Sequence, residues 1–424
     1  MRRLSGREIT GDTSISEFQK PMQPTSFMFI AGEASGDSLA AELVRELQAQ
    51  FAAHGSGFGP RFFGAGGPAM AAAGVELACD LTQHSVIGLF EALQSYGKFK
   101  RLFDQLLDLA FARQPDVIIC VDFSGFNRRF AHAVRQRLAR QQSAFHNWRP
   151  RLVQYVSPQV WASRADRAVT MARDFDLLLC LFPFERDWYA VHTPDFRVEC
   201  VGHPMLDRHA PAALALAPAS AANAAGTARA SDVPEVLLLP GSRVGELRRH
   251  LPPMIEAARL IAEVERVALR MVVPNDALAA LARPSTEAVP GLRVQVGGLA
   301  EALRAATVAL ASTGTVTMEC ACFGVPTVAL YKTSWSTYQI GRRIIRVEYL
   351  AMPNLLAGEA VFPEFIQDDA TALNLADAVV ELLRLPEQRA AVQRKLAAVI
   401  ASLGGPGATR RAATAVLRLL AETH

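Results

Sequence analysis

At 424 residues the chain has room for two domains, and half of its residues are hydrophobic, enough for two large cores. A formal net charge of +3 does not suit a nucleic-acid binder. No apolar run reaches the length that spans a bilayer, and six scattered cysteines without a zinc spacing suit a reduced, cytoplasmic protein.

Residues 1–25 are polar and aperiodic and read as a disordered extension, or as an overlong start with Met22 the true beginning. Phe27 to Ala31 then predicts a short buried strand, Gly32, Ser35 and Gly36 a tight loop, and Leu39, Leu43 and Leu47 a helix by their spacing. A strand, a glycine loop and a helix N-terminus point backbone N–H groups at a ligand. Glu33 and Asp37 in that loop would repel an anion, so contact with hydroxyls, an amide or a proton in transit is one reading. Asp37 and Ser35 as plain helix caps is the other.

Further strands are expected at 61–64, 117–121, 152–156, 177–181 and 197–201, most followed by a helical pattern. An alanine-rich segment, 210–233, reads as a linker or loop. Alternation restarts with strand 235–239, helix 246–265, strands 269–273, 292–296 and 307–311, helix 315–323 and strand 326–330. The expectation is an α/β protein: two Rossmann-like lobes, 26–209 and 234–424, with parallel sheets facing a cleft. Chemistry then belongs in the loops after the carboxyl ends of strands.

Several such loops carry suitable residues. Gly64-Ala65-Gly66-Gly67-Pro68 has the wrong spacing for a dinucleotide fingerprint and reads better as a turn. Asp122 ends the apolar run Val117 to Val121. A partly desolvated carboxylate there can serve as a general base, or else cap the next helix. In Leu239-Pro240-Gly241-Ser242-Arg243, Gly241 lets a ligand approach, Ser242 and the helix N-terminus can hold a phosphate, and Arg243 adds a charged contact. Glu246 could complete a capping arrangement there. In Ser312-Thr313-Gly314-Thr315, Gly314 and Thr315 suit a second phosphate-facing turn, and Glu319 could accept both hydroxyls of a ribose. Residues 87–107 and 338–350 interleave large apolar residues with Lys98, Lys100 and Arg101, and with Arg342, Arg343 and Arg346. Such mixing suits an interfacial segment, though buried amphipathic helices show it too.

Read together, the motifs resemble the lipid-A-disaccharide synthase family. They are Ala31-Gly32-Glu33-Ala34-Ser35-Gly36-Asp37, Gly64-Ala65-Gly66-Gly67-Pro68, Tyr155-Val156-Ser157-Pro158-Gln159-Val160-Trp161-Ala162, Phe182-Pro183-Phe184-Glu185, Val201-Gly202-His203-Pro204, Leu239-Pro240-Gly241-Ser242-Arg243, Pro353-Asn354-Leu355-Leu356-Ala357-Gly358 and Leu403-Gly404-Gly405-Pro406-Gly407-Ala408. They run in order over nearly the whole chain.

The resemblance implies an inverting glycosyltransferase of the GT-B type. Its donor is UDP-diacylglucosamine, its acceptor diacylglucosamine 1-phosphate, and its products a β-1,6-linked disaccharide 1-phosphate and UDP. It implies Asp122 as the base, with Glu33, Ser35 and Asp37 on the acceptor side. Ser242 and Arg243 fall on the diphosphate, Glu319 on the ribose, and Asn354 near UDP. The segment Val86-Ile87-Gly88-Leu89-Phe90-Glu91 matches a family motif leading into the lipid-facing region. The chain departs at Gly125, where the family often has Asp, and at Thr313, where Ser is usual. Peripheral attachment to the inner face of the inner membrane, no cofactor and no metal are further expectations, and a homodimer is left possible. Rival readings are a UDP-N-acetylglucosamine-using enzyme of similar fold, either a peptidoglycan-type transferase or a UDP-sugar 2-epimerase.

Overall fold

Apolar runs of four to six residues cannot make stable helices, and here they make strands buried on both faces. The computed structural model describes residues 24–53, 59–82, 96–141, 147–209, 233–334, 338 and 347–422. The first sheet comprises β1 (Ser26–Ala31), β2 (Arg61–Gly66), β3 (Glu76–Asp80), β4 (Val117–Val121), β5 (Arg151–Tyr155), β6 (Leu177–Cys180) and β7 (Val198–Cys200). Its order is β3-β2-β1-β4-β5-β6-β7, with every pairing parallel. Around it lie α1 (Ala34–Ala53), α2 (Pro68–Ala72), α3 (Tyr96–Arg113), α4 (Ser124–Gln141), α5 (Val160–Ser163), α6 (Asp166–Asp174), α7 (Pro183–His192) and α8 (Met205–Arg208).

The second sheet repeats the plan. It has β8 (Glu235–Leu239), β9 (Ala268–Val273), β10 (Arg293–Val296), β11 (Val308–Ser312), β12 (Thr327–Tyr331) and β13 (Glu364–Ile366), in the parallel order β10-β9-β8-β11-β12-β13. Its helices are α9 (Val244–Val264), α10 (Asp276–Thr286), α11 (Leu299–Ala305), α12 (Thr315–Cys322), α13 (Met352–Ala357), α14 (Ala372–Arg384), α15 (Pro386–Ser402) and α16 (Ala408–Ala421). Strand order reverses between β1 and β4 in one sheet and between β8 and β11 in the other. Those two crevices are where open parallel sheets bind ligands.

Strands named from the sequence form at nearly the same bounds. Two others, β3 and β13, were not expected: both are edge strands, incompletely buried and without a continuous apolar run. Period-two alternation divides the cores. Met28 and Ile30 face one with Ile118, Leu178 and Phe130, whereas Phe27 and Phe29 face another. That second core runs on through Met205 and Leu206 to Leu237, Leu239, Met318 and Leu396, so apolar packing is continuous between the lobes.

The last helix returns to the first lobe. Helix α16 packs on α1, Gln50 donates to the Arg410 carbonyl (3.2 Å), and Arg418 pairs with Glu199 (2.6 Å). Asp207 caps α16 by accepting the N–H groups of Gly407, Ala408 and Thr409. The second lobe expected over 234–424 therefore does not hold α16, whose crossover at Gly404–Gly407 reads in sequence as an ordinary helix–helix turn.

Residues 1–23, the 83–95 segment with its Val86–Glu91 motif, 210–232, and 335–337 and 339–346 lie outside the described residues. In the described part of the first apolar-basic stretch, Leu106 is buried and Leu102, Phe103 and Leu107 pack against the first-lobe core. That part is core packing rather than an interfacial face. Among the described residues no helix is long and apolar enough to cross a membrane.

Candidate active site

The loop after β1 is shaped by what lies opposite it across the β1–β4 crevice. A Cβ at Gly32 would sit 2.3 Å from the Phe123 ring, so only glycine admits that ring. Phe123 arrives there because Asp122 and Phe123 both hold left-handed backbone, with φ of 50° and 40°. Each non-glycine residue in that region costs about 1–3 kcal/mol, so something must hold the turn. Asp122 N–H donates to the Tyr155 carbonyl (2.7 Å), and the Asp122 carbonyl accepts from Asn127 Nδ2 (2.8 Å) and Gln154 Nε2 (3.2 Å). Asn127 and Gln154 are fully buried.

The turn sets the Asp122 carboxylate at the mouth of the crevice, where Ser35 Oγ approaches Oδ2 at 3.5 Å. Burial and the nearby Glu33 carboxylate push the Asp122 pKa up, while Ser35 and Arg243 oppose the shift. Glu33 reaches the other lobe: its Oε2 lies 2.6 Å from Arg243 Nη2.

Asp37 is not part of this group. Its buried carboxylate accepts the N–H groups of Gly67 (2.8 Å), Ala69 (2.9 Å) and Met70 (3.1 Å), capping α2 from the side. The expectation that Asp37 orients or deprotonates a substrate is therefore corrected. Its oxygens are committed to holding the Gly64–Pro68 turn.

On the second lobe, Gly241 has φ 121°, and a Cβ there would sit 2.8 Å from the Glu246 carboxylate. Glu246 accepts Ser242 N–H (3.1 Å) and pairs with Arg243 (3.0 Å), the capping arrangement anticipated above. His250 fixes the loop from beneath. Its Nδ1 donates to the Pro240 carbonyl (2.9 Å), which leaves Nε2 to accept Lys332 N–H (3.1 Å). Ser242 and Arg243 stay exposed.

The neighbouring crevice wall is the turn after β11. Gly314 has φ 145° with open space where a side chain would be, and Thr315 is exposed at the start of α12. Thr317 closes the turn by donating to the Gly314 carbonyl (2.7 Å). Glu319 is half-buried, and burial raises its pKa against the pull of Arg208, which itself pairs with Glu42 (2.6 Å).

Asn354 is corrected as well. It is fully buried; Oδ1 accepts Val361 N–H (2.9 Å) and Phe362 N–H (2.7 Å), and Nδ2 donates to the Phe362 carbonyl and Glu364 (both 2.8 Å). No hydrogen-bonding capacity is left for a nucleotide. Asn354→Ala strands two buried N–H groups at about 1–3 kcal/mol each. It should lower stability by roughly 3 kcal/mol in denaturant titration, with the UDP affinity of the folded fraction unchanged. Loss of UDP affinity at full stability would restore Asn354 to the binding site.

Sequence reading missed the supporting residues. Asn127 and Gln154 hold the Asp122 turn, His250 holds the Gly241 loop, and buried Glu185 ties two motifs together by accepting Trp161 Nε1 (3.1 Å) and Phe182 N–H (3.2 Å). Burial pushes Glu185 up to about 7 against those donors. Glu185 lay inside a family motif without a role; of the other three, only His250 carried a signal, as a polar residue on the apolar stripe Leu247, Leu251, Met254.

Two doubly wound sheets joined through a shared core, with a carboxylate on one wall and an arginine on the other, define the class as a two-lobed GT-B fold. Solved structures agree. A putative UDP-N-acetylglucosamine 2-epimerase from Listeria monocytogenes aligns with a TM-score of 0.61 at 14% identity, over 95% of this chain and 98% of that one. The calicheamicin glycosyltransferase CalG4 aligns with a TM-score of 0.55 at 15% identity, over 94% and 99%. Sequence carries the assignment further. Residues 27–419 match the model of the lipid-A-disaccharide synthetase family. The lipid-A-disaccharide synthase of Trichlorobacter lovleyi is 34% identical over 407 residues, 95% of this chain and 99% of that protein. The chain belongs to the lipid-A-disaccharide synthetase family, and is a glycosyltransferase.

Proposed function

We propose that this chain transfers diacylglucosamine from its UDP derivative to the 6-hydroxyl of diacylglucosamine 1-phosphate. The product is a β-1,6-linked disaccharide 1-phosphate. The observation that carries the reading, beside family membership, is that Asp122, Glu33 and Arg243 share one electrostatic cluster across the crevices. Asp122 takes the proton of the acceptor hydroxyl as its oxygen bonds to the donor's anomeric carbon. The bond from that carbon to the diphosphate breaks from the opposite face, so the configuration inverts. Arg243, Ser242 and the N–H groups at the Gly241 and Gly314 turns face the charge that develops on departing UDP. Glu319 is assigned to the ribose hydroxyls.

Because both substrates are lipids, the reaction is placed at the cytoplasmic face of the inner membrane, with the protein bound peripherally. The test is UDP release and product mass with the diacyl donor and phosphorylated acceptor, with UDP-N-acetylglucosamine as control. Turnover of the control without the lipid acceptor would replace this reading with an epimerase.

No divalent cation is assigned. The Asp174-Phe175-Asp176 pair lies at the amino end of β6, away from the cleft, and its carboxylates serve His132, Arg173 and Arg135. Chelator-treated enzyme should keep its full rate; a loss that Mg²⁺ restores would refute this.

A further inference from the structure

Four arginines gather on the acceptor lobe at the carboxyl edge of the sheet. Arg128 and Arg129 lie in the second turn of α4, which starts two residues after Asp122. Arg164 follows α5, and Arg167 lies in the first turn of α6, both after the neighbouring strand β5. Helix α4 packs against α6, which brings the four together.

Their pairing sets them apart. Further along the same two helices, Arg135 pairs with Asp176 (2.7 Å), Arg137 with Asp108 (2.6 Å) and Arg173 with Asp174 (3.0 Å). Among the described residues, none of Arg128, Arg129, Arg164 and Arg167 forms an ion pair; Asp166 is the carboxylate close to Arg128 and Arg167. Arg128 and Arg167 are half-buried, Arg129 and Arg164 exposed. Burial and mutual repulsion lower the pKa of Arg128 and of Arg167. A folded protein keeps like charges together at a cost, which a bound anion would remove.

Position narrows the choice. Arg128 stands four residues into α4, about 6 Å along the axis from its start beside Asp122. Burial and Glu33 dominate the shift at Asp122, and none of the four arginines is among its causes. In a glucosamine that offers its 6-hydroxyl to Asp122, C5 and C1 flank the ring oxygen, so the anomeric phosphate lies within one sugar's width of the base.

We propose that Arg128, Arg129, Arg164 and Arg167 form the subsite for the phosphomonoester of the acceptor, and that they select a 1-phosphorylated sugar over its neutral counterpart. This rests on the transfer reaction proposed above. Guanidinium groups match phosphate oxygens in pairs of hydrogen bonds, and the half-buried Arg128 and Arg167 supply the least screened charge.

The test is the double variant Arg128→Gln/Arg167→Gln, which keeps the helical stems and removes the charges. Transfer is measured with the diacylglucosamine acceptor with and without its phosphate. Calorimetry with glucosamine 1-phosphate gives a readout independent of turnover, and UDP affinity checks the fold. The expected result is a rise in KM of about 10- to 100-fold for the phosphorylated acceptor, little change for the neutral one, and unchanged UDP binding. The Arg128→Lys variant should retain part of the preference. An equal loss on both acceptors would overturn the proposal. So would an intact preference with lost binding to phosphatidylglycerol vesicles, which would make the cluster a membrane headgroup site. If the parent enzyme shows no transfer at all, the reaction assignment fails. The calorimetric arm then still decides the subsite: glucosamine 1-phosphate bound by the parent and lost in the variant supports it, and no difference sinks it.

Discussion

Asp122→Asn folds, binds UDP as the parent chain does, and transfers sugar about 10³-fold more slowly or worse. A positioned general base is worth roughly 10²–10⁴-fold, and the amide is isosteric but accepts no proton at working pH. The substitution keeps the backbone turn, because Tyr155, Asn127 and Gln154 hold Asp122 by its main chain and not by its carboxylate. The loss should fall on kcat, since the interaction removed belongs to the transition state. A rate within tenfold of the parent would remove Asp122 from the base role.

The same residue sets the acid limb of the pH profile. Only the ionised carboxylate accepts a proton, and burial with Glu33 raises its pKa above the ordinary 3.8. Activity should therefore rise with pH through a midpoint above the normal aspartate range. Glu33→Gln removes a like charge that favours the protonated form, so it should move this midpoint down without abolishing transfer. If Glu33→Gln abolishes transfer while Asp122→Asn does not, the two carboxylates exchange roles.

Much of the fold was legible because central strands such as β1 and β4 are continuous apolar runs, Phe27 to Ala31 and Val117 to Val121, followed by a glycine or an acid. The edge strands β3 and β13 escaped because exposed Glu76 and half-buried Asp80 and Glu364 erase the pattern. In the site, the residue types of the motif loops were legible but their partners were not. Glu33 and Asp37 sit four residues apart, just before α1 and in its first turn, yet Asp37 faces the Gly67–Met70 backbone and Glu33 faces Arg243 of the second lobe. Nothing local distinguishes them: the difference lies in β2 and β8, which only the assembled sheets bring near. Asn354 misled for the same reason, because its partners Val361, Phe362 and Glu364 come from the next turn and strand rather than from a ligand.

Arg243→Ala should weaken UDP binding by about 10- to 100-fold and leave thermal stability nearly unchanged. The two halves have different causes. Without ligand, Arg243 pairs with Glu33 at 2.6 Å and Glu246 at 3.0 Å, but its side chain is 57% exposed. Ion pairs that open to water contribute about 0–1 kcal/mol, so the fold loses little. A diphosphate held beside two helix N-termini is a stronger partner, because its charge-assisted bonds are roughly twice as strong as neutral ones and can be bidentate. Glu33 then competes with the diphosphate for one guanidinium. Glu33→Ala should consequently tighten UDP binding, opposite in sign to Arg243→Ala. Adding it to the Arg243→Ala background should do nothing, since the competition has already gone. Arg243→Lys should recover only part of the affinity, as a point charge cannot reproduce the planar fork. Calorimetry on the four proteins checks all of this together. Unchanged UDP affinity in Arg243→Ala would move the diphosphate away from the Gly241 loop, and a weaker rather than tighter Glu33→Ala would show that Glu33 holds Arg243 in place for the nucleotide instead of competing with it.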